Sequence, residues 1–93
     1  MPSPVVESSG ARTADAQVKS TSGTLWGAQL KGGATSATLV LYDGTSASGK
    51  KLCELSSAAG ALSNIHLTGG VSFSTGLFAD VSGTGPEYVV WFE

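Results

Sequence analysis

From Val18 onward, short runs of aliphatic, β-branched and aromatic residues alternate with clusters of Gly, Ser and Thr. The clusters recur about every 8 to 12 residues, which is the turn spacing of β-sandwiches and barrels. The predicted strands are residues 18–20, 24–31, 37–42, 51–55, 62–67, 71–74, 76–82 and 87–92. The pattern therefore predicts an all-β protein, a single antiparallel β-sandwich that is jelly-roll-like and has about seven or eight short strands.

Two stretches within this pattern need separate treatment. Gly69-Gly70 supplies two residues that tolerate positive φ, so it predicts a two-residue hairpin turn between residues 62–67 and 71–74. Residues 50–59 also carry apolar side chains at helical spacing. This stretch ends at Gly60 and begins with only Ser and Gly, so we expect a strand followed by a loop, with a helix as the alternative.

The first 17 residues differ in composition from the rest of the chain. They hold two of the three prolines and little apolar material besides Val5 and Val6. Such a segment is typical of an extended N-terminal arm that becomes ordered when something holds it. The sequence thus predicts an arm over residues 1–17 and a β-sandwich domain over residues 18–93. The arm has no basic start followed by an apolar stretch, so we do not expect a secretory signal.

Two predicted strands are apolar on both faces, namely residues 39–42 and 88–92. One face of each can enter the core, and the other must be covered by a partner or by the arm folding back. Aromatic residues are enriched where proteins meet. The candidate partner-binding residues are Pro2, Pro4, Val5, Val6, Trp26, Tyr42 and Trp91.

The charge balance and the cysteine count limit the classes of partner. Five basic and seven acidic residues give a net charge of −2, which disfavours binding to nucleic acid. No apolar run reaches the roughly 18 residues that span a bilayer, so we expect no membrane partner. The single Cys53 excludes an internal disulfide. Oligomerisation can stabilise so small a domain, and a homo-oligomer such as a trimer is expected.

One loop comes close to a phosphate-binding motif. Residues 44–51 nearly satisfy G-x-x-x-x-G-K-[ST], but Lys51 stands where a hydroxyl should hold Mg²⁺. Too little chain follows to build the parallel βαβ sheet that the motif requires. We therefore expect a Gly/Ser-rich hairpin loop and no cofactor.

The remaining reactive side chains lack partners at a meaningful spacing. His66 lies on the polar face of its strand, and only Glu54 and Asp80 are possible neighbours. Cys53 reads as a small buried hydrophobe without a positioned base. Glu54, Asp80 and Glu87 could pair for glycoside hydrolysis, but scattered acids pair readily by chance. The sequence predicts no catalytic residue and no metal site, and hence not an enzyme.

The large aromatic residues allow two interpretations. Trp26, Tyr42 and Trp91 on a sheet surface could stack on sugar rings, as in a carbohydrate-binding module. They could equally lie in the core or at a protein interface, where aromatic residues are the usual anchors.

Three segments carry a family resemblance. They are K-S-T-S-G-T-L-W-G at residues 19–27, A-T-L-V-L-Y-D at residues 37–43 and F-S-T-G-L at residues 73–77. Together with the apolar closing strand, they resemble small virion proteins of tailed bacteriophages over residues 18–93. The resemblance implies a non-enzymatic β-sandwich made in the host cytoplasm and located on the virion. It would be a capsid decoration, or cement, protein that binds the major capsid protein or another virion protein. A tail, neck or fibre protein is the alternative within that class, and none of these brings catalytic residues.

Overall fold

The computed structural model describes residues 6–93. In these residues the chain forms eight strands and no helix. The strands are β1 (Glu7–Ser8), β2 (Ala16–Lys19), β3 (Gly23–Lys31), β4 (Ala37–Asp43), β5 (Lys50–Ser57), β6 (Leu62–Phe73), β7 (Leu77–Ser82) and β8 (Glu87–Phe92). The prediction of an all-β chain with about eight strands is confirmed, and residues 50–57 form a strand rather than a helix.

The eight strands form two four-stranded antiparallel sheets. Sheet I has the order β1-β8-β3-β6, and sheet II has the order β2-β7-β4-β5. Strand 1 therefore pairs with 8, 2 with 7, 3 with 6 and 4 with 5, as if one long hairpin had been rolled up. This is the strand order of a jelly roll. The expected jelly-roll-like sandwich is confirmed.

The core lies between the sheets and follows from alternation along the strands. Alternate positions of β4, β7 and β8 face the core, because successive residues of a strand point to opposite faces, and β3 follows the same pattern on either side of its register shift between Leu25 and Gly27. The large core side chains that are fully buried are Leu25, Leu30, Leu39, Leu41, Leu77, Tyr88 and Val90. The intervening residues of these strands form the two outer faces.

The N-terminal segment belongs to the sandwich as far as the structure describes it. Residues of β1 pair with the end of β8, and β2 pairs with β7 in sheet II. The predicted boundary between arm and domain, at residues 17 and 18, falls inside β2 (Ala16–Lys19). Composition missed this because the segment is held mainly by backbone hydrogen bonds to distant strands. The predicted arm residues Met1–Val5 lie outside the described part of the chain.

Polar contacts also hold the N-terminal segment across both sheets. The Arg12 N–H donates to the Tyr88 carbonyl at 2.9 Å, and the Tyr88 N–H donates to the Arg12 carbonyl at 2.8 Å. The Tyr88 ring is buried, and its hydroxyl donates to the Ala14 carbonyl at 2.6 Å. On sheet II, the Asp15 carboxylate accepts from the Val81 N–H at 2.7 Å. Residues 9–19 are therefore hydrogen-bonded to strands of both sheets.

Gly69-Gly70 does not form the predicted hairpin turn. Both glycines have positive φ, but they lie within β6, which continues past them along β3. The register slips here, because Leu25 pairs with Val71 whereas Gly27 pairs with His66. Positive φ serves a bulge as well as a turn, so the dipeptide alone could not distinguish the two.

The loop between β4 and β5 is an antiparallel hairpin, as predicted for the Gly/Ser-rich stretch. Asp43 and Lys50 pair at its base, which excludes the parallel βαβ setting of a phosphate-binding loop. The Asp43 carboxylate reaches across to the segment before β7. It accepts from the N–H groups of Ser74 and Thr75, each at 2.9 Å. These hydrogen bonds lower the pKa of Asp43 below its usual value.

Candidate binding surfaces on the two outer faces

The outer face of sheet I carries a groove of about 350 Å³, here called the tryptophan groove. Its lining combines aromatic, aliphatic and amide side chains from β3, β6, β8 and the N-terminal segment. The lining residues are Val6, Trp26, Gly27, Gln29, Asn64, Ile65, His66 and Trp91. Concave, largely apolar sites with a few polar groups are typical of small-molecule binding.

Two glycines lie beside the indole rings of the groove. A Cβ on Gly27 would lie 3.6 Å from the Trp91 ring and only 2.7 Å from the Ile65 carbonyl oxygen. A Cβ on Gly70 would lie 3.4 Å from two ring carbons of Trp26. A Cβ on Gly70 would also lie 2.5 Å from Thr24 Cγ2, so the Ile65 carbonyl and Thr24 restrict a side chain at these two positions, whereas the indoles lie at ordinary van der Waals distance.

Strand register sets the polar part of the groove. Gln29 pairs with Asn64, and Gly27 pairs with His66, so these side chains share the outer face. The Trp26 Nε1–H is buried and has no hydrogen-bond partner among residues 6–93. A buried donor without a partner costs roughly 1–3 kcal/mol. This unpaired donor adjoins the groove and is not explained by the fold.

The outer face of sheet II carries an aromatic patch, defined by Val40, Tyr42 and Phe78. Tyr42 and Phe78 are register partners on neighbouring strands, and Val40 lies two residues from Tyr42 on β4. All three are half-buried within the chain. Their position opposite the buried Leu39 and Leu41 places them on the surface of the sheet.

Charged side chains border the aromatic patch. Lys51 pairs with Tyr42, and its Nζ lies 2.7 Å from Glu54 Oε1 in an exposed ion pair. The Glu54 carboxylate raises the pKa of Lys51. Asp80 pairs with Val40 on the other side. Burial and the neighbouring Asp15 carboxylate raise the pKa of Asp80, because both disfavour its ionised form.

The structure divides the predicted partner-binding residues between the two faces. Val6, Trp26 and Trp91 come together in the tryptophan groove, whereas Tyr42 belongs to the aromatic patch on the other sheet. Pro2, Pro4 and Val5 lie outside the described residues. Sequence reasoning missed Gln29 and, as part of a site, Asn64. The available signal was alternation, which put Asn64 and His66 on one face without showing which strand lay beside it.

The structure does not bring the reactive side chains into one cluster. His66 lies on sheet I, while Glu54 and Asp80 lie on sheet II. Burial raises the pKa of the Cys53 thiol to about 11, which keeps it protonated at neutral pH. Within residues 6–93, no group of three or more His, Cys, Asp or Glu side chains is placed to hold a metal ion.

Comparisons with protein-family models, curated proteins and solved structures find no match for this chain. Among residues 6–93 no helix has the length and apolar character needed to cross a bilayer.

Proposed function

We propose that the chain is a non-enzymatic virion structural protein, a capsid decoration protein that binds the assembled capsid surface and stabilises it. The observation that carries the proposal is the aromatic patch on a rigid eight-stranded sandwich. The proposed partner is the major capsid protein or another virion protein. The proposed location is the outer surface of the particle.

The aromatic patch has the composition of a protein-binding surface. Tyr42 and Phe78 form its centre, and Lys51, Glu54 and Asp80 form a charged border. Protein interfaces commonly combine a central aromatic cluster with a polar rim. The patch also lies on regular strands of the β-sandwich, so little conformational entropy is lost when it binds.

The family resemblance and the fold support the same class. The segments at residues 19–27, 37–43 and 73–77 resemble virion proteins of tailed bacteriophages, and jelly rolls are frequent in viral capsid domains. A fold hosts many functions, so this support is by analogy. A decoration protein acts by mass action, because it binds the assembled lattice better than free subunits.

Immunogold labelling of purified particles of the virus that carries this sequence tests the location. We expect regular labelling of the capsid surface. Labelling confined to the tail, neck or fibres would overturn the capsid assignment, and particles without the protein would overturn the proposal entirely.

Add-back to particles that lack the protein tests the surface. Purified protein should raise the temperature at which particles release their genome, measured with a DNA-binding dye. Tyr42→Glu should weaken binding at least tenfold, since aromatic anchors dominate such interfaces. The matched control is His66→Glu, which places the same charge on the exposed outer face of sheet I. Equal loss in both variants would contradict docking through the aromatic patch.

Sedimentation of the free protein tests the proposed trimer.

A further inference from the structure

We infer that the tryptophan groove is a binding site for a neutral saccharide of one or two rings. The inference does not depend on the proposed virion role, because the groove and the aromatic patch lie on opposite sheets. It rests on the shape of the groove, its lack of charged side chains and its arrangement of amide groups.

The size of the groove limits the ligand. Its volume of about 350 Å³ is near the lower end of the roughly 300–1,000 Å³ seen for small-molecule sites. The groove is open to solvent along the sheet surface. A ligand with one or two rings would fill it, and a longer polymer would extend beyond it.

The charge of the lining limits the ligand further. No Lys, Arg, Asp or Glu side chain lines the groove among the described residues. A phosphate-bearing ligand would lack the cationic partners that such ligands usually have. A cationic ligand would lack an acidic partner in the groove. Charge complementarity therefore favours a neutral ligand.

The groups that do line the groove match hydroxyls and a flat apolar ring face. Gln29 and Asn64 each offer a donor and an acceptor, as a sugar hydroxyl does. His66 lies beside them on the same strand as Asn64. The indoles of Trp26 and Trp91 provide broad apolar surfaces on which the C–H face of a pyranose can lie. The unpaired Nε1–H of Trp26 would gain an acceptor if the indole tilts toward a bound hydroxyl.

The protein provides a specific reporter for this site. Its only two tryptophans both line the groove, so fluorescence excited selectively at tryptophan and the two indole N–H resonances report on it alone. The probes are neutral mono- and disaccharides of glucose, galactose, mannose and N-acetylglucosamine, and sialylated forms of the same sugars. The experiment titrates each probe into the full chain and follows both signals.

We expect at least one neutral probe to shift both indole resonances with saturation, and its sialylated form to bind more weakly. Asn64→Ala should weaken binding about tenfold, the effect of losing a single good hydrogen bond, and the exposed side chain makes the variant safe for folding. Trp91→Ala should weaken it at least as much. Tyr42→Phe on the opposite sheet is the matched control and should bind normally.

Three results would overturn the inference. The first is the absence of any saturable shift up to the solubility limit of every neutral probe. The second is equal binding by Asn64→Ala and the parent chain. The third is indole shifts that follow protein concentration instead of saccharide, which would assign the groove to a second copy of the chain. None of these results bears on particle labelling, so this inference and the proposed function fail independently.

Discussion

The hydrogen bond from Tyr88 to Ala14 tests whether the N-terminal segment is part of the sandwich. Tyr88 is 1% exposed, and its hydroxyl passes from the core to the Ala14 carbonyl at 2.6 Å. The substitution Tyr88→Phe removes this hydrogen bond and leaves the ring in place. It therefore isolates the fastening of residues 9–19 from the packing of the core.

The expected magnitude follows from the loss of one hydrogen bond. A typical intramolecular hydrogen bond contributes about 0.5–1.5 kcal/mol net, and Ala14 is exposed enough for water to replace the lost donor. We expect Tyr88→Phe to lower the free energy of unfolding by about 1 kcal/mol. For a domain of this size, that corresponds to a Tm lower by roughly 4–8 °C. Thermal and urea unfolding of both proteins measures the difference.

The matched control is Tyr42→Phe, since Tyr42 is the only other tyrosine and its hydroxyl makes no hydrogen bond among residues 6–93. Its stability should change by less than about 0.5 kcal/mol. Hydrogen exchange adds a local readout, because Tyr88→Phe should speed exchange at the amides of Arg12 and Val81. Equal Tm values for the two variants, with unchanged protection at these amides, would refute the reasoning.

Three further substitutions test other contacts. Asp43→Asn should lower Tm at pH 7, and the loss of Tm should shrink in acid. The folded pKa of Asp43 is lowered, so the stabilisation by its ionised carboxylate is present above the unfolded pKa of about 3.8. It disappears as pH falls through the folded value. Asp80→Asn should raise Tm at pH 7 but not at pH 3. The folded pKa of Asp80 is raised, so the protonated carboxyl stabilises the fold relative to the ionised one. That stabilisation is complete below the unfolded pKa of about 3.8 and is lost as pH rises through the folded value. A pH-independent effect of either substitution would contradict these assignments. Gly27→Ala should cost about 1–3 kcal/mol, because the added methyl meets the Ile65 carbonyl, and an unchanged urea midpoint would contradict that contact.

Local pattern located seven of the eight strands, but it missed β1 and divided β6 into two. Alternation of apolar and polar residues is a property of each strand alone, so β3, β4, β7 and β8 could be located within a residue or two. The Gly69-Gly70 prediction failed because a bulge and a turn demand the same backbone freedom. What distinguishes them is the pairing of β6 with β3 on both sides of the dipeptide, which joins residues far apart in sequence.

The position of the N-terminal segment depended on contacts that composition does not show. Its ties to β8 and β7 are backbone hydrogen bonds, together with side-chain hydrogen bonds of Ser9 with Val90, of Asp15 with Val81 and of Gln17 with the Leu77 carbonyl. Such bonds need no apolar side chains in the segment. Deleting residues 1–17 would therefore remove β1 and half of β2. A loss of binding to the proposed capsid partner after this deletion could come from a folding defect as well as from the loss of contacts.

The candidate surfaces were predictable by residue type but not as sites. Trp26, Tyr42 and Trp91 were identifiable as large aromatic residues on strands, yet their division between two sheets depends on strand order. Gln29 became part of the groove only through its pairing with Asn64. Register between strands that are more than thirty residues apart is set by the whole sandwich, so no local pattern could show it.

The segments at residues 19–27, 37–43 and 73–77 have identifiable structural roles in the fold. Asp43, which ends the segment at residues 37–43, accepts hydrogen bonds from the backbone N–H groups of Ser74 and Thr75 in the segment at residues 73–77, so the two segments are in contact in the fold. The leucines of the same segments are buried in the core. Trp26 and Tyr42 are different, because each points outward and neither supplies a hydrogen bond to the described fold. The fold accounts for the buried leucines and for Asp43, and it does not account for the outward position of Trp26 and Tyr42. Trp26 lies in the tryptophan groove and Tyr42 in the aromatic patch, so each outer face carries one outward-pointing aromatic residue from these segments.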